Sequence, residues 1–460
     1  MEDNILLNGI FASLLLLFSF KKWVLKGDVF HPGFIYCLIN CGFFIVFAFG
    51  PYSYGFHLNW AYYYIYVLVS FMFIVGIIWG EAKGRKIIVK DIKLSYIQLW
   101  ILYTILLAVL AVQLTELIGT TGTTLESGVD NRIEQLGQTE TKLNTTKYVI
   151  TTIEISFIRL SSAIVSAYSF FQKKRYWTLI ILFILMIINS VFINSRTSFL
   201  MGLMPIVITA YSVLKDRGTI DFTQIKWSKN FKFTLPIAIL IIVVIGALTN
   251  ARSSIIAAEY SVPYEYIEST TSLQRKQWFN EFAKSQPVAI VNPIAELSIY
   301  AGSTVAHGGL VSKVAMTSDL RTWGLRNFFP IHRILAQLNL DGGFSASSRY
   351  NYQRIVASAT SSLPGIEFSW WGYPANLIVD FGYVGALLIA LITGWIIGWI
   401  YGSISNSGSI VKATGYSIIL ISITLTPAFG PFSDFSNFIS FIVFILYILS
   451  NSINIKSLQY

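Results

Sequence analysis

Apolar runs of 13 to 28 residues recur along the whole chain. They fall at about 5–20, 34–50, 60–80, 95–118, 148–171, 176–194, 199–214, 233–248, 373–400, 416–428 and 436–451. Roughly 20 apolar residues in a helix cross a bilayer, because only an internally hydrogen-bonded backbone is tolerated in hydrocarbon. The runs therefore predict an all-α, polytopic membrane protein with about eleven transmembrane helices. Charged residues make up only 12% of the chain and mean hydropathy is +0.62. A soluble domain carries about a quarter charged residues, so a soluble enzyme, a coiled coil and a disordered chain are excluded. Cys37 and Cys41 share one apolar run and read as small buried hydrophobes, not as a staple or a metal pair.

Charge placement predicts orientation. The first run follows Met1-Glu2-Asp3-Asn4 and precedes Lys21, Lys22 and Lys26. That pattern reads as a retained helix with its N-terminus outside, not as a cleaved signal. Alternate loops then collect 18 of the 33 basic residues against Asp28, Glu81, Asp91, Asp216 and Asp221. This is the positive-inside signature, and it accounts for most of the +10 net charge without invoking nucleic acid. Trp23, Trp60, Trp177 and Tyr401 stand at run ends, as expected for residues at the bilayer interface.

The expected organisation is a first block, 1–248, carrying eight spans and a polar, Thr-rich outer loop at 119–147. A large extracytoplasmic segment, 249–372, follows between spans eight and nine, and 373–460 carries the last three spans. Stretches 273–285 and 326–339 within the large segment have helical, amphipathic spacing. Loops of such length usually hold structure or function.

The basic residues change type between the two sides. Of the 18 expected on the inner side, only Arg85, Arg175 and Arg217 are arginine. The large segment holds Arg252, Arg275, Arg321, Arg326, Arg333, Arg349 and Arg354 against three lysines. Lysine suffices for topology, whereas the planar guanidinium fork matches phosphate and carboxylate oxygens. Pairing with the eight acidic residues of the same segment is the structural alternative. Arg196 lies in a tight link, Asn194-Ser195-Arg196-Thr197-Ser198, and Arg159 lies inside the fifth run. An intramembrane arginine costs at least ~2.5 kcal/mol and needs a partner or a wet cavity. Glu154 sits about 140° round the helix from it, so the two do not form a same-face pair.

Several guanidiniums at one membrane depth suit a pyrophosphate leaving group, whose growing charge they stabilise without a metal. Arg159, Arg196, Arg252, Arg321 and Arg326 are the candidates for that role. No metal site or cofactor is expected, since no compact acidic cluster accompanies them and the four histidines are scattered. A transferred glycan also needs a base for the acceptor hydroxyl. Glu296, His307 and Glu367 are the leading candidates, beside Asp319 and His332. Trp278, Trp323, Trp370 and Trp371 offer faces for sugars, although interface anchoring suits the Trp370–Trp371 pair better. Gly394, Gly398 and Gly402 recur every fourth residue, a pattern for close helix packing. Asp380 reads as either an orienting partner for an arginine or a cap for the ninth span.

Two stretches carry a family resemblance. Ser361–Gly402, SSLPGIEFSWWGYPANLIVDFGYVGALLIALITGWIIGWIYG, resembles the end of the large outer loop and the next helix of Wzy-type oligosaccharide repeat-unit polymerases. NSRTSFLMGLMP, 194–205, resembles the matching inter-helix link of that family. The resemblance implies a GT-C-like glycosyltransferase of the bacterial inner (cytoplasmic) membrane, with its large loop periplasmic. Such an enzyme moves a growing glycan from undecaprenyl pyrophosphate to a fresh lipid-linked repeat unit, without nucleotide sugar or metal, in O-antigen and related polysaccharide biosynthesis. Arg196 matches the link arginine, Arg252 is a looser match to a basic residue opening the loop, and Glu367 lies where the family carries acidic residues. Expected partners are the lipid-linked oligosaccharide, membrane lipid and, as this reading allows, a chain-length regulator. The rival readings are an O-antigen ligase or other lipid-linked glycan transferase and, from another class, a lipid-linked oligosaccharide flippase. Against the flippase stand the long outer segment and the lack of a visible repeat.

Overall fold

A computed structural model describes residues 2–28, 30–54, 60–121, 145–171, 273–338, 342–361, 371–427 and 430–454, with isolated positions 181, 184 and 340. The described chain is mostly helical. Its helices are α1 Glu2–Trp23, α2 Pro32–Phe49, α3 Trp60–Gly84, α4 Tyr96–Thr121, α5 Thr145–Phe171, α6 Gln277–Ser285 and α7 Val288–Thr317. Then come α8 Phe329–Gln337, α9 Phe344–Thr360, α10 Gly372–Ser405, α11 Ser409–Thr424 and α12 Phe435–Asn451. Two short antiparallel ribbons pair β1, Tyr52–Tyr54, with β3, Leu273–Arg275, and β2, Ile87–Val89, with β4, Ser452–Asn454.

Among the described residues four helices are long and apolar enough to cross a membrane, namely Asn4–Lys26, Pro32–Phe49, Ala61–Gly84 and Gly372–Ser405. The chain is thus a helical membrane protein. Shorter apolar helices cover Tyr96–Val112, Ser409–Thr424 and Ser436–Asn451. The spans expected at 176–194, 199–214 and 233–248, and the outer loop at 119–147 apart from its helical ends, lie outside the described residues.

The chain forms two compact units. The first takes Met1–Arg85, Val262–Gly402 and Ser422–Phe438. Its central seam is the crossing of α3 and α10. A Cβ on Gly76 or Gly80 would overlap the backbone of Leu391, Trp395 or Trp399. A Cβ on Gly394, Gly398 or Gly402 would overlap the backbone of Phe73, Ile77 or Glu81. The four-residue glycine spacing on α10 therefore meets a matching Gly76–Gly80 pair on α3, and the two backbones touch.

Helix α7 is the element that the sequence did not announce. Asn292, Pro293, Glu296, His307 and Lys313 interrupt its apolar residues, yet it runs for 30 residues. It packs along α2 and also touches α3 and α9. The segment 249–372 thus contributes a principal helix to the core of this unit. Next to it, Tyr52, Leu273, Phe279 and Ile299 form an apolar cluster under α6.

Helix α10 is not one straight span. Gly382 takes φ 72°, ψ −176°, and divides it into Gly372–Phe381 and Tyr383–Ser405. The Tyr373 hydroxyl hydrogen-bonds the Thr393 hydroxyl. A straight helix would hold residues twenty apart at a distance of about 30 Å, so the first segment folds back along the second. Every residue from Gly372 to Asp380 is buried. Immediately past the bend Val384, Leu388 and Ile392 are 73%, 54% and 50% exposed. Their four-residue spacing makes one outward apolar stripe, the lipid-facing side of the span.

The second unit takes Lys86–Ser261, Ser403–Ile421 and Ile439–Tyr460. Asp91 accepts from the amides of Ile410 (3.2 Å) and Val411 (2.9 Å) and so caps the start of α11. Tyr103, Leu106, Leu110 and Val165 make the α4–α5 contact. Cys37 and Cys41, in the first unit, are buried free thiols, as their setting in the sequence implied. Trp23 and Tyr401 are not interface anchors. They are 5% and 3% exposed, because both pack on the buried ring of His31.

Candidate functional site

The bend of α10 organises the candidate site, which lies wholly in the first unit. Asp380, fully buried, aims its carboxylate at the turn following α7. Oδ1 accepts from the Thr322 hydroxyl and the Arg326 amide, the latter at 3.2 Å. Oδ2 accepts from the Asn327 amide at 3.0 Å and from its Nδ2 at 2.6 Å. The Trp323 amide donates to the Asp380 carbonyl at 3.1 Å. One carboxylate thus collects four donors from six consecutive residues, which fixes the turn to the helix. Two turn residues, Asp319 (φ 51°) and Trp323 (φ 47°), are left-handed without being glycine. For a bulky residue that conformation persists only where surrounding bonds over-determine it. The Trp323 carbonyl completes the clamp by accepting from His332 Nε2 at 2.8 Å.

Arg321 and Arg326 are both held by this turn but are used differently. Arg321 Nη1 donates to the carbonyls of Ala315 (2.9 Å) and Leu320 (2.8 Å), at the C-terminal end of α7. Its Nη2 lies 3.3 Å from Asp319 Oδ1, an exposed carboxylate that adds little. Arg321 therefore closes a helix end. Arg326 rests on rings. Its guanidinium carbon lies 4.5 Å from the Trp371 ring centre and 5.3 Å from that of Tyr352, and Nε donates to Asn376 Oδ1 at 3.3 Å. A guanidinium stacked this way keeps its charge while its carbon plane is shed from water. Trp371 is fully buried beneath it, so this tryptophan is a seat for the cation and not an interface anchor.

His307 lies on α7, next to Gly308. A Cβ on Gly308 would overlap the Trp371 carbonyl and come within 3.0 Å of the Tyr62 hydroxyl. The Tyr66 hydroxyl lies 3.6 Å from where a Cβ on Gly372 would sit. His307 is 3% exposed, and burial pulls its imidazole down to about 4, so the ring is neutral at pH 7. His307 Nδ1 and the hydroxyls of Tyr62 and Tyr66 are buried and, among the described residues, have no hydrogen-bond partner. Buried polar atoms of this kind are few in folded proteins, and two of them, the Tyr62 and Tyr66 hydroxyls, lie at the Trp371–Gly372 corner.

The structure describes the other expected residues only in part. Arg159 is half-buried on α5 in the second unit, and its carbonyl accepts from Ser162 Oγ at 3.1 Å. Glu296 lies on α7, but its side chain is outside what the structure describes. Arg196, Arg252 and Glu367 lie outside the described residues. His332 serves structure, bonded to Trp323 and 3.3 Å from Ser345 Oγ through Nδ1. Tyr62, Tyr66, Tyr352 and Asn376 are additions that no motif or spacing marked. Asp380 does orient an arginine, but through the backbone amide of Arg326. No family model, curated protein or solved structure matches the chain.

Proposed function

We propose that the chain is a membrane glycosyltransferase of the Wzy type, which polymerises undecaprenyl-pyrophosphate-linked oligosaccharide repeat units. In this reading it sits in the bacterial inner membrane with about eleven spans, and the α10 bend faces the outer side. One observation carries the reading. Arg326 is seated on Trp371 and Tyr352, with Trp371 inside the stretch that resembles the polymerases. A fixed, partly desolvated guanidinium suits a pyrophosphate oxygen, and aromatic walls suit sugar faces.

The transfer would join the acceptor hydroxyl oxygen to the anomeric carbon of the donor glycan. The bond from that carbon to pyrophosphate breaks, its electron pair leaves with the phosphate oxygen, and the acceptor proton passes to a base. Arg326 stabilises the departing charge, and preorganised donors of this kind are worth about 10²–10³ in rate. Among the base candidates His307 has a described, neutral ring. It has room for a proton, and Glu296 and Glu367 are the carboxylates to vary beside it. Purified protein mixed with lipid-linked repeat units, without nucleotide sugar and with a chelator, tests the reading. A ladder of lengthening products supports it. Transfer to a lipid A core acceptor without a ladder would replace it with the ligase reading.

A further inference from the structure

Exposed apolar and basic side chains gather in sequence after α7. Trp323 is 53% exposed although its backbone is clamped on Asp380 and His332. Its anchor on Asp380 lies four residues from Val384, where the lipid-facing stripe begins. The patch continues from there. The His332 ring stacks on Phe344 at 5.2 Å, and Phe344 is 44% exposed. Ile331, Leu338 and Leu340 are exposed around the same pair of short helices, α8 and α9. None of these belongs to the four helices able to cross a membrane. Between residues 319 and 361 the sequence holds five arginines, no lysine, and only Asp319 and Asp341 as acids. Arg349 and Arg354 are exposed on α9 and Arg333 is half-exposed on α8.

We infer that the 319–328 turn with α8 and α9 forms a platform resting on anionic phospholipid headgroups, its aromatic and aliphatic side chains entering the leaflet. Three features select lipid over another occupant. The patch is anchored on Asp380, four residues from Val384, the start of the lipid-facing stripe of α10. It mixes a tryptophan with bulky aliphatics, the composition of an interfacial belt. Its charge is positive and all arginine, complementary to phosphate. Such a platform would hold the Asp380 turn, and through it Arg326, at a fixed depth. The inference does not depend on the glycan reading.

The native cysteines are buried, so a thiol-reactive environment-sensitive dye takes only an introduced one. Leu340→Cys, at a site 69% exposed, is labelled in protein reconstituted into phosphatidylcholine–phosphatidylglycerol vesicles. Leu388→Cys on the stripe gives the lipid-immersed reference, and exposed Lys284→Cys on α6 gives a second comparison. Lipids spin-labelled near the headgroup should quench the Leu340→Cys dye roughly twofold, with less quenching from deep-chain labels. Replacing Arg333, Arg349 and Arg354 together by Ala should weaken that quenching, and pure phosphatidylcholine should do the same. A Leu340→Cys dye that stays unquenched while Leu388→Cys is quenched would overturn the inference. Quenching indifferent to lipid charge and to the three arginines would overturn its headgroup component. Dye self-quenching that grows with protein density would place a second copy on this face and overturn it outright.

Discussion

The two ends of the Tyr383–Ser405 segment solve the same problem in opposite ways. At one end Asp380 spends its charge on a turn of backbone and side-chain donors, while Arg326 is carried on aromatic rings. At the other end acid and base pair with each other. Glu81 accepts from Arg85 at 2.5 Å and lies 3.3 Å from His31 Nε2, and the Tyr401 hydroxyl donates to Asp28. His31 is fully buried, stacked on Trp23 at 4.1 Å, and its Nδ1 caps α2 by accepting from the Gly33 amide at 3.1 Å. That acceptance leaves the proton on Nε2, facing Glu81. The second network is a fastening for α2, α3 and α10. The first seats a cation on the Trp371 and Tyr352 rings beside Asn376.

Both ends depend on the α3–α10 seam, so the largest effect should come from breaking it. Gly398→Leu places a side chain in the backbone of Ile77. We expect a loss of more than about 3 kcal/mol, beyond ordinary overpacking, and no monodisperse protein in detergent. A normal size-exclusion profile would contradict the seam. Asp380→Ala comes next. It strands four donors, and we expect a loss of about 3–5 kcal/mol, read as a fall in unfolding temperature. A fall no larger than that of Glu81→Ala would erase the distinction between the two ends. For Glu81→Ala we expect about 1–2 kcal/mol, because Arg85 is 61% exposed and gains little from its partner.

The smallest effect is the pH dependence of His31. Burial lowers its folded-state pKa below the ordinary 6.5. The unfolded chain then binds the proton first, so the stability contribution is complete above pH 6.5 and is lost as pH falls below it. The loss amounts to at most about 1.4 kcal/mol per pH unit. His31→Asn keeps an N-cap acceptor and removes the titration. The unfolding temperature of the wild type should fall more between pH 7 and pH 5 than that of His31→Asn. Parallel curves would show that His31 titrates alike in both states.

Much of the seam was legible in sequence, and little of the site was. Gly394, Gly398 and Gly402 announce close packing by their spacing alone, although their partners Gly76 and Gly80 are evident only once α3 is in place. The apolar setting of Cys37 and Cys41 identified them as buried. Helix α7 stayed hidden because its polar residues break the long apolar run by which a membrane helix is recognised. The α10 bend was hidden for the opposite reason. Asn376 and Asp380 only dent an apolar run that resumes after Gly382, and a glycine in such a run reads as packing. In the Asp380 turn the left-handed positions 319 and 323 are Asp and Trp, and only Gly324 offers a turn signal. Arg321 and Arg326 look equivalent in sequence and differ only in what surrounds them.

The central claim is that Arg326 is held ready for a pyrophosphate while Arg321 closes a helix end. The direct measurement is initial ladder formation from lipid-linked repeat units by wild type, Arg326→Ala and Arg326→Lys, each matched for unfolding temperature. The account predicts about a 10²-fold loss for Arg326→Ala. Arg326→Lys should be impaired nearly as much, since lysine keeps the charge without the fork. Near-normal ladders from a folded Arg326→Ala protein would contradict it.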